Sequence, residues 1–210
     1  MHTQDITHKR DGHRGHEAPI LSVDITEKRF GSHRVLRNVR FDLARGETLA
    51  ITGPSGCGKS TLLRIISGLD RDYTGSVRGP HRIGFVFQEP VLLPWMRAVR
   101  NLEVTCDISS DTALGALEQV GLAACADLYP SQMSLGQQRR LALARAFAIK
   151  PQLLLLDEAF VSLDEKLADE MMGAFEALRS DMPVSTILVT HDMTEARRLA
   201  DRIITLATDG

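Results

Sequence analysis

The chain has 210 residues, of which 43% are hydrophobic and 25% are charged, as is ordinary for one large globular domain. No apolar run is long enough to span a bilayer, so we expect any role at a membrane to depend on a partner. The net charge of −2 gives no electrostatic reason to expect binding to nucleic acid.

The N-terminal residues are polar and predict no folded element. Residues 1–18 contain four of the seven histidines at irregular spacing, so we interpret them as a disordered tail rather than a metal-binding tract. The same stretch lacks the apolar core of a secretory signal. The three cysteines, Cys57, Cys106 and Cys125, do not have the spacing of a metal site, and these features together favour a reducing cytosol.

Residues 20–43 predict an antiparallel β layer. Apolar residues alternate with polar ones over 21–25 and again over 39–43, and turn residues separate the two runs. Phe30 lies between the two runs, beside a turn. An aromatic side chain at this place could stack on a nucleotide base, although in a β layer it is more often part of the core.

Residues 53–61 read Gly-Pro-Ser-Gly-Cys-Gly-Lys-Ser-Thr and match the pattern of a phosphate-binding loop. They lie between a predicted buried strand, 48–52, and apolar residues at helical spacing, which is the context that such a loop requires. The glycines would let backbone N–H groups converge on phosphate oxygens at the positive end of the helix dipole. Lys59 would neutralise the β- and γ-phosphates, and the Ser60 hydroxyl would bind Mg²⁺. The sequence therefore predicts a nucleoside triphosphate site, and a turn that binds nothing is the weaker alternative.

The next elements are a strand, an unusual apolar segment and helices. Residues 83–87 predict a buried strand that ends at Gln88. The segment 89–95 has two prolines around an apolar run, which favours neither a helix nor a central strand. It is a candidate partner surface, unless it packs on the protein's own helices. Residues 98–129 show helical periodicity and predict a helical insertion.

A long helix is predicted after this insertion, with Ser134 and Gly136 at its start. Leu141, Ala144 and Phe147 would form its apolar face. Because the first N–H groups of a helix attract anions, this helix start is a second potential anion site.

Two further apolar stretches end in polar residues. Four leucines at 153–156 predict a central parallel strand, and Asp157 and Glu158 follow it. Residues 186–190 predict another parallel strand, and His191 follows it. Because α/β sheets bind ligands at the carboxyl ends of their strands, we favour a functional role for these side chains over a helix cap or a structural histidine.

With these motifs in this order, the chain resembles the ATP-binding subunit of ATP-binding cassette (ABC) transporters over nearly all of residues 20–210. Residues 53–61 resemble the Walker A motif, and 153–157 resemble the Walker B motif that precedes the catalytic glutamate. The remaining matches are Gln88 with the Q-loop glutamine, residues 133–137 with the family signature, 162–164 with the D-loop and His191 with the switch histidine. Within the family, residues 87–95 are most similar to importers of nitrate, sulfonates, taurine and related solutes.

The resemblance implies an α/β fold with the parallel-sheet core of a P-loop (RecA-like) NTPase, an N-terminal antiparallel β layer and an inserted helical subdomain. It divides residues 19–210 into a nucleotide-binding core, 19–88 and 148–210, and a helical subdomain, 89–147. The implied activity is ATP hydrolysis that powers transport, with ATP and Mg²⁺ as cofactors.

The resemblance also assigns roles to individual residues. Catalysis would fall to Glu158, His191, Gln88 and Lys59. Mg²⁺ would be bound by Ser60, Gln88 and Asp157. The nucleotide would be bound by a larger set: Phe30, Gly53, Pro54, Ser55, Gly56, Cys57, Gly58, Lys59, Ser60, Thr61, Ser134, Gly136, Gln137 and Asp164.

The implied assembly is a head-to-tail dimer of two cassettes, identical or paralogous. Ser134 and Gly136 of one copy would meet the γ-phosphate that Lys59 of the other copy binds. Membrane permease subunits and an extracytoplasmic solute-binding protein are the other implied partners. The chain would be cytoplasmic and peripheral on the inner face of the cell membrane.

Three alternatives remain within the family. The first is an exporter or lipoprotein-release ATPase, whose site would look the same. The second is a soluble ABC ATPase that acts on nucleic acid or ribosomes, but the chain has no tandem cassette or basic extension. The third is an inactive cassette, against which Lys59, Asp157, Glu158 and His191 all argue.

The signature departs from its usual sequence, Leu-Ser-Gly-Gly-Gln. Met133 replaces the leucine, and Leu135 replaces the first glycine. If the family backbone needs a glycine-only conformation at this position, the contact of the signature with ATP would weaken. Ala159 also replaces the usual proline after Glu158.

Overall fold

The computed structural model describes residues 4–6, 18–161 and 163–206. The strands and α-helices within these ranges are, in chain order, β1 (Gln4–Ile6), β2 (Leu21–Phe30), β3 (His33–Leu43), β4 (Thr48–Thr52), α1 (Lys59–Ile66), β5 (Thr74–Arg78), β6 (Ile83–Val86), α2 (Ala98–Cys106), α3 (Ser110–Gln119), α4 (Leu135–Ala148), β7 (Leu153–Asp157), α5 (Glu165–Asp181), β8 (Ser185–Val189), α6 (Met193–Leu199) and β9 (Arg202–Thr205). Two short 3₁₀ helices, Ala123–Cys125 and Pro130–Gln132, precede α4. No helix in these ranges is long and apolar enough to cross a membrane.

The core of the protein is a six-stranded sheet with the order β1-β9-β4-β8-β7-β6. The strands from β9 to β6 run parallel, and β1 pairs antiparallel with β9 at one edge. Every residue of β4, β7 and β8 is buried. Strands that are covered on both faces need apolar side chains on both, which explains the continuous apolar runs at 48–52, 153–156 and 186–190. The predicted parallel strands are therefore confirmed.

A second, antiparallel sheet has the order β3-β2-β5 and covers one face of the core sheet. Its inward side chains, such as Leu21 and Ile25, belong to one buried cluster with Leu62 of α1 and with Leu153 and Leu155 of β7. The predicted antiparallel layer is confirmed. The tight turn between β2 and β3 follows directly after Phe30, so the layer places this ring at one end of the sheet.

Helices cover the opposite face of the core sheet. Leu154 and Leu156, which alternate with the leucines that face the antiparallel sheet, join a cluster with Leu102 of α2, Leu117 of α3 and Phe175 of α5. The predicted helical insertion is therefore confirmed, and so is the α/β fold class. The boundary at residues 89 and 147 stays a prediction, because one continuous cluster of buried side chains extends from the insertion into the core.

Most of the predicted disordered tail, 1–18, lies outside the described residues. The prediction is wrong for Gln4–Ile6, which form β1 and pair with Thr205, Ile204 and Ile203 of β9. The edge of a sheet presents unpaired backbone N–H and C=O groups, and a short extended segment can pair with them through its backbone alone. Such a strand needs no alternating apolar pattern, so the sequence gives no signal for it.

Candidate active site

The predicted phosphate-binding loop, residues 53–58, connects β4 to α1, as the sequence pattern requires. Gly53 has a φ of +149° and Gly58 a φ of +99°, which side-chain-bearing residues rarely adopt. A Cβ atom at Gly53 would lie 2.6 Å from the carbonyl oxygen of Leu206, and one at Gly58 would lie 2.6 Å from Cδ2 of Leu36. Both the dihedral angles and the close contacts therefore require glycine at these two positions.

Lys59 is the first residue of α1, and its side chain is only 4% exposed. Its Nζ donates hydrogen bonds to the carbonyl oxygens of Gly53 at 2.9 Å and Pro54 at 3.0 Å. The same nitrogen lies 3.8 Å from Oε1 of Glu158. The ammonium group is thus held against the loop by backbone oxygens, with a carboxylate nearby.

Asp157 ends β7 and is 9% exposed. Its Oδ1 accepts a hydrogen bond of 2.9 Å from the Ser60 hydroxyl. Burial raises the pKa of Asp157 above its usual range; the Ser60 hydrogen bond opposes this rise, and the charge of Glu158 adds to it. A serine hydroxyl beside a carboxylate is the kind of oxygen-ligand pair that Mg²⁺ takes from a protein, the other ligands being water and phosphate.

Glu158 has a strained backbone, with a φ of +48°, and its N–H donates a 2.9 Å hydrogen bond to the carbonyl oxygen of Val189. Its Oε1 lies 3.6 Å from Nδ1 of His191, whose side chain is 49% exposed. The carboxylate therefore lies between the buried Lys59 and the open edge of the site at His191. The predicted convergence of β7, β8 and the phosphate-binding loop is confirmed in its geometry.

A pocket of about 400 Å³ lies in front of these groups. Its size is within the range of ordinary small-molecule sites. Phe30 contributes one wall and is 54% exposed, which is high for a phenylalanine. The other lining residues are Val35, Ser55, Gly56, Gly58, Lys59, Ser60, Thr61, Gln88 and Glu158. The phosphate-binding loop, an aromatic ring and Gln88 thus line one pocket.

The signature segment, residues 133–137, begins α4 and does not line this pocket. Ser134 caps the helix: its hydroxyl accepts a hydrogen bond from the N–H of Gln137 at 3.2 Å, and its N–H donates to Oε1 of Gln137 at 2.9 Å. Leu135 is the first helical residue, has no positive φ and is 49% exposed. In this chain, position 135 therefore does not need the conformation that only glycine adopts.

Gly136 is buried, and a Cβ atom there would lie 2.7 Å from Cδ1 of Leu167. Asp164, the described aspartate of the D-loop, caps α5 by accepting a 2.9 Å hydrogen bond from the N–H of Leu167. The start of α4 and the start of α5 thus pack together through one leucine. Asp164, like Ser134, Gly136 and Gln137, is absent from the residues that line the pocket.

One buried carboxylate at the site has no counterpart in the sequence-based predictions. Glu195 of α6 is 5% exposed, and its Oε2 accepts a 2.6 Å hydrogen bond from the Thr190 hydroxyl. That hydroxyl in turn accepts a hydrogen bond from the N–H of Asp192. The residues on both sides of His191 are therefore connected to Glu195. Asp192 and Glu195 have the spacing of a helix-capping pair, and this was the signal in the sequence that could have identified them.

The fold and the site together define a class of protein. A phosphate-binding loop between a parallel strand and a helix, with carboxylates at the end of a nearby parallel strand, is the site of a P-loop nucleoside triphosphatase.

Comparisons with known proteins identify the family. The family model described as "ABC transporter" matches residues 36–161. The aliphatic sulfonates import ATP-binding protein SsuB 1 of Xanthomonas axonopodis pv. citri (strain 306) is 43% identical over 202 residues, which cover 89% of this chain and 80% of that protein. The corresponding SsuB protein of Granulibacter bethesdensis (strain ATCC BAA-1260 / CGDNIH1) is 42% identical, over 90% of this chain and 81% of its own length.

Solved structures agree with this assignment. The dimeric structure of the ATP-binding cassette MJ0796 in a post-hydrolysis state, bound to ADP and Pi, superposes with a TM-score of 0.77 at 31% identity, over 89% of this chain and 94% of that one. The chain belongs to the ABC transporter family. It is an ATP-binding subunit that hydrolyses ATP to power transport, as the resemblance of its motifs implied.

Proposed function

We propose that the chain powers the uptake of a small sulfonate, or of a related solute such as nitrate or taurine, through a separate membrane permease. The observation that carries the proposal is that Lys59 and Glu158 line one pocket, with Asp157 hydrogen-bonded to Ser60 of its lining and His191 3.6 Å from Glu158. The chain that holds this pocket is 43% identical to a sulfonate import ATP-binding protein. An exporter or lipoprotein-release ATPase would have the same pocket, and no feature of the described residues favours it.

The pocket supports a division of work along the nucleotide. The Phe30 ring would stack on adenine, because it is 54% exposed and lines the same pocket as the phosphate-binding loop. Residues 53–61 would surround the phosphates with backbone N–H groups, and Lys59 would exchange its two carbonyl partners for phosphate oxygens. Because phosphate oxygens would replace the carbonyl oxygens, the ammonium group of Lys59 would stay hydrogen-bonded. Its burial in the pocket would therefore add no free-energy cost to binding.

Ser60 and Asp157, with Gln88, are the residues that would hold Mg²⁺, and the metal would supply positive charge to the phosphate oxygens. Their chemistry fits this ion, because a hydroxyl, a carboxylate and an amide are all oxygen ligands. The described residues contain no cluster of three His, Cys, Asp or Glu that could hold a metal by themselves. Such a site suits an ion that a protein binds together with phosphate and water.

Glu158 is the residue that would orient and polarise the attacking water. Its carboxylate is adjacent to Lys59 at 3.8 Å and His191 at 3.6 Å, so a water on its open side would face the γ-phosphate that Lys59 and His191 would contact. His191 is half exposed and could follow the γ-phosphate as it is released. A ring N–H of His191 would donate a hydrogen bond there.

The signature residues would act on the nucleotide of a second copy. Ser134, Gly136, Gln137 and Asp164 do not line the pocket of their own chain, and Ser134 and Asp164 are exposed. The N-terminus of α4 and the Ser134 hydroxyl are donors suited to a γ-phosphate. The solved cassette structures are described as dimeric, which supports a head-to-tail pair here, of identical or paralogous cassettes.

The segment 89–95 is the proposed contact with the permease on the inner face of the membrane, in a system that also has an extracytoplasmic solute-binding protein. Val91 is 59% and Trp95 69% exposed, and the segment follows Gln88 of the pocket directly. Arg145 of α4 donates hydrogen bonds to the carbonyl oxygens of Val91 and Pro90. Apolar side chains held outward by such backbone contacts fit a protein partner, while the net charge of −2 gives no support for nucleic acid.

The experiment that tests the proposal is copurification of the tagged chain from native membranes, followed by solute uptake in the reconstituted complex. We expect a permease to copurify and ATP-dependent uptake of a short alkanesulfonate that exceeds uptake of nitrate. Trp95→Ala should lose the permease and keep ATP binding, whereas Leu69→Ala, an equally exposed apolar residue, should keep both. Uptake of nitrate alone would reassign the solute, and outward transport or ribosome association would overturn the import proposal.

A further inference from the structure

Lys28 of β2 is an ammonium group that the protein buries close to the pocket. Its side chain is only 2% exposed. Its Nζ donates hydrogen bonds to Oδ1 of Asp70 at 2.9 Å and to the backbone carbonyl oxygen of Asp72 at 2.6 Å. A buried charge is costly unless it is paired and hydrogen-bonded, and these two oxygens satisfy that condition.

The third neighbour of this ammonium is the ring of Phe30. Nζ lies 4.5 Å from the ring centroid, within the range of a cation–π contact. The register of β2 against β3 shifts between Lys28 and Arg29, and such an irregularity re-aims side chains near the end of a strand. Phe30 nevertheless stays 54% exposed and lines the pocket. The cation therefore covers one part of the ring while much of the ring remains open.

The charge on Lys28 is maintained by its partners. Burial by itself lowers the pKa of Lys28, but the hydrogen bond and the negative charge of Asp70, with a smaller effect of Asp72, outweigh it and raise the pKa above the usual value. The same hydrogen bond is the main cause of the lowered pKa of Asp70. Near neutral pH the ring is thus in contact with a full positive charge.

We propose that Lys28 is a positioning residue for the nucleotide base and that it acts through Phe30. Asp70 and the Asp72 carbonyl fix the ammonium, and the ammonium fixes the ring in the orientation in which its free face borders the pocket. The cation also draws π-electron density away from that free face, which favours stacking of an electron-rich purine on it. The proposal depends on the proposed role of Phe30, and it adds the residue that sets the strength of that contact.

The test compares ATP with inorganic tripolyphosphate, which contacts the loop and has no base. Lys28→Met removes the charge and keeps an unbranched apolar side chain. By calorimetry, we expect Lys28→Met to weaken ATP binding by about three- to tenfold, as for one side chain that must be ordered on binding, and to leave tripolyphosphate binding unchanged. Lys28→Arg, which keeps the charge, should bind ATP within about twofold of the wild type.

A double-mutant cycle shows whether Lys28 acts through the ring. In a Phe30→Leu background, Lys28→Met should have no further effect on ATP binding, because the ring that transmits the charge is gone. Asp72→Asn is the matched control: it keeps the backbone carbonyl that accepts the hydrogen bond, its side chain is 96% exposed, and we expect unchanged binding of both ligands.

Three results would overturn the proposal. Equal weakening of ATP and tripolyphosphate would make Lys28 a purely structural residue, and an undiminished effect in the Phe30→Leu background would exclude the ring as intermediary. A wild-type chain that bound tripolyphosphate as tightly as ATP would reject the proposed base contact of Phe30 itself, which is a separate failure.

If Lys28→Met did not fold, Asp70→Asn would replace it as the test variant. This change weakens the hydrogen bond that holds Lys28 and should weaken the binding of ATP but not that of tripolyphosphate.

Discussion

The phosphate-binding loop and the signature segment are both helix starts that are suited to phosphate, but their polar groups are satisfied in different ways. Lys59 at the loop is 4% exposed and hydrogen-bonded to two carbonyls of the loop itself. Ser134 at the signature is exposed, and its partners among the described residues are those of its own helix cap. The first half of the site is thus formed within one chain, whereas in the proposed dimer the second half would present its donors to another molecule. Damage to the two halves should therefore have different consequences.

The largest expected effect comes from a change of Glu158, which belongs to the half of the site that contains the phosphate-binding loop. Glu158→Gln should keep ATP binding and lower the rate of hydrolysis by about 10²- to 10⁴-fold, because an amide cannot take a proton from water. The ATP that is not hydrolysed should also hold two chains together as a dimer. Phosphate release and light scattering with ATP measure the two effects, and Glu118→Gln on the exposed face of α3 is the control. A variant that stayed monomeric with ATP would indicate that the signature with Leu135 is defective.

Ser134→Ala tests the other half and should have a smaller effect. The ATP affinity of the isolated chain should not change, whereas hydrolysis and ATP-dependent dimerisation should fall by about 10- to 100-fold as one donor to the partner's γ-phosphate is lost. Removal of a helix cap itself costs about 1 kcal/mol, so a control with the same loss is needed. Ser109→Ala provides it, because Ser109 caps α3 by accepting from the N–H of Thr112. Weakened ATP binding in monomeric Ser134→Ala would contradict the division of the site.

The smallest effect concerns pH and the buried carboxylate beside His191. Burial is the main cause that raises the pKa of Glu195, so the folded protein binds this proton more tightly than the unfolded chain does. Stability is therefore lost as pH rises from the unfolded value of about 4.3 through the raised value in the fold. The Tm of Glu195→Gln relative to the wild type should accordingly increase between pH 4 and pH 7, by about 2–4 °C for each kcal/mol of relieved penalty.

Calorimetry of both proteins across this pH range measures the difference. A relative Tm that decreased toward pH 7 would show that the Thr190 hydroxyl stabilises the ionised carboxylate more than burial penalises it. The surroundings of Glu195 would then stabilise an ionised carboxylate even though this side chain is buried.

The sequence predicts well those parts of the fold in which neighbouring residues share one environment. The four leucines before Asp157 predict a strand that is buried on both faces, and that placement brings Asp157 and Glu158 to the site. Lys28 is different. It lies between Glu27 and Arg29 in a polar stretch that looks solvated, and Asp70 and the Asp72 carbonyl, which are 42 and 44 residues away, make its burial possible. The strand β1 is a similar case, because its pairing with the distant β9 determines it. Glu195 differs, because its partner Thr190 is close in sequence and the capping spacing with Asp192 could have identified it.

Gly136 has a consequence for how such chains change over generations. Because a Cβ atom at this position would lie 2.7 Å from the end of the Leu167 side chain, a larger residue needs that leucine to shift, whether or not ATP is ever bound. The adjacent Leu135 points into open space and is under no such restriction. A descendant that had lost hydrolysis would thus be expected to change position 135 freely, but to change Gly136 only together with the packing of Leu167. Retention of this glycine in a relative would then reflect packing within the subunit as well as the binding of ATP.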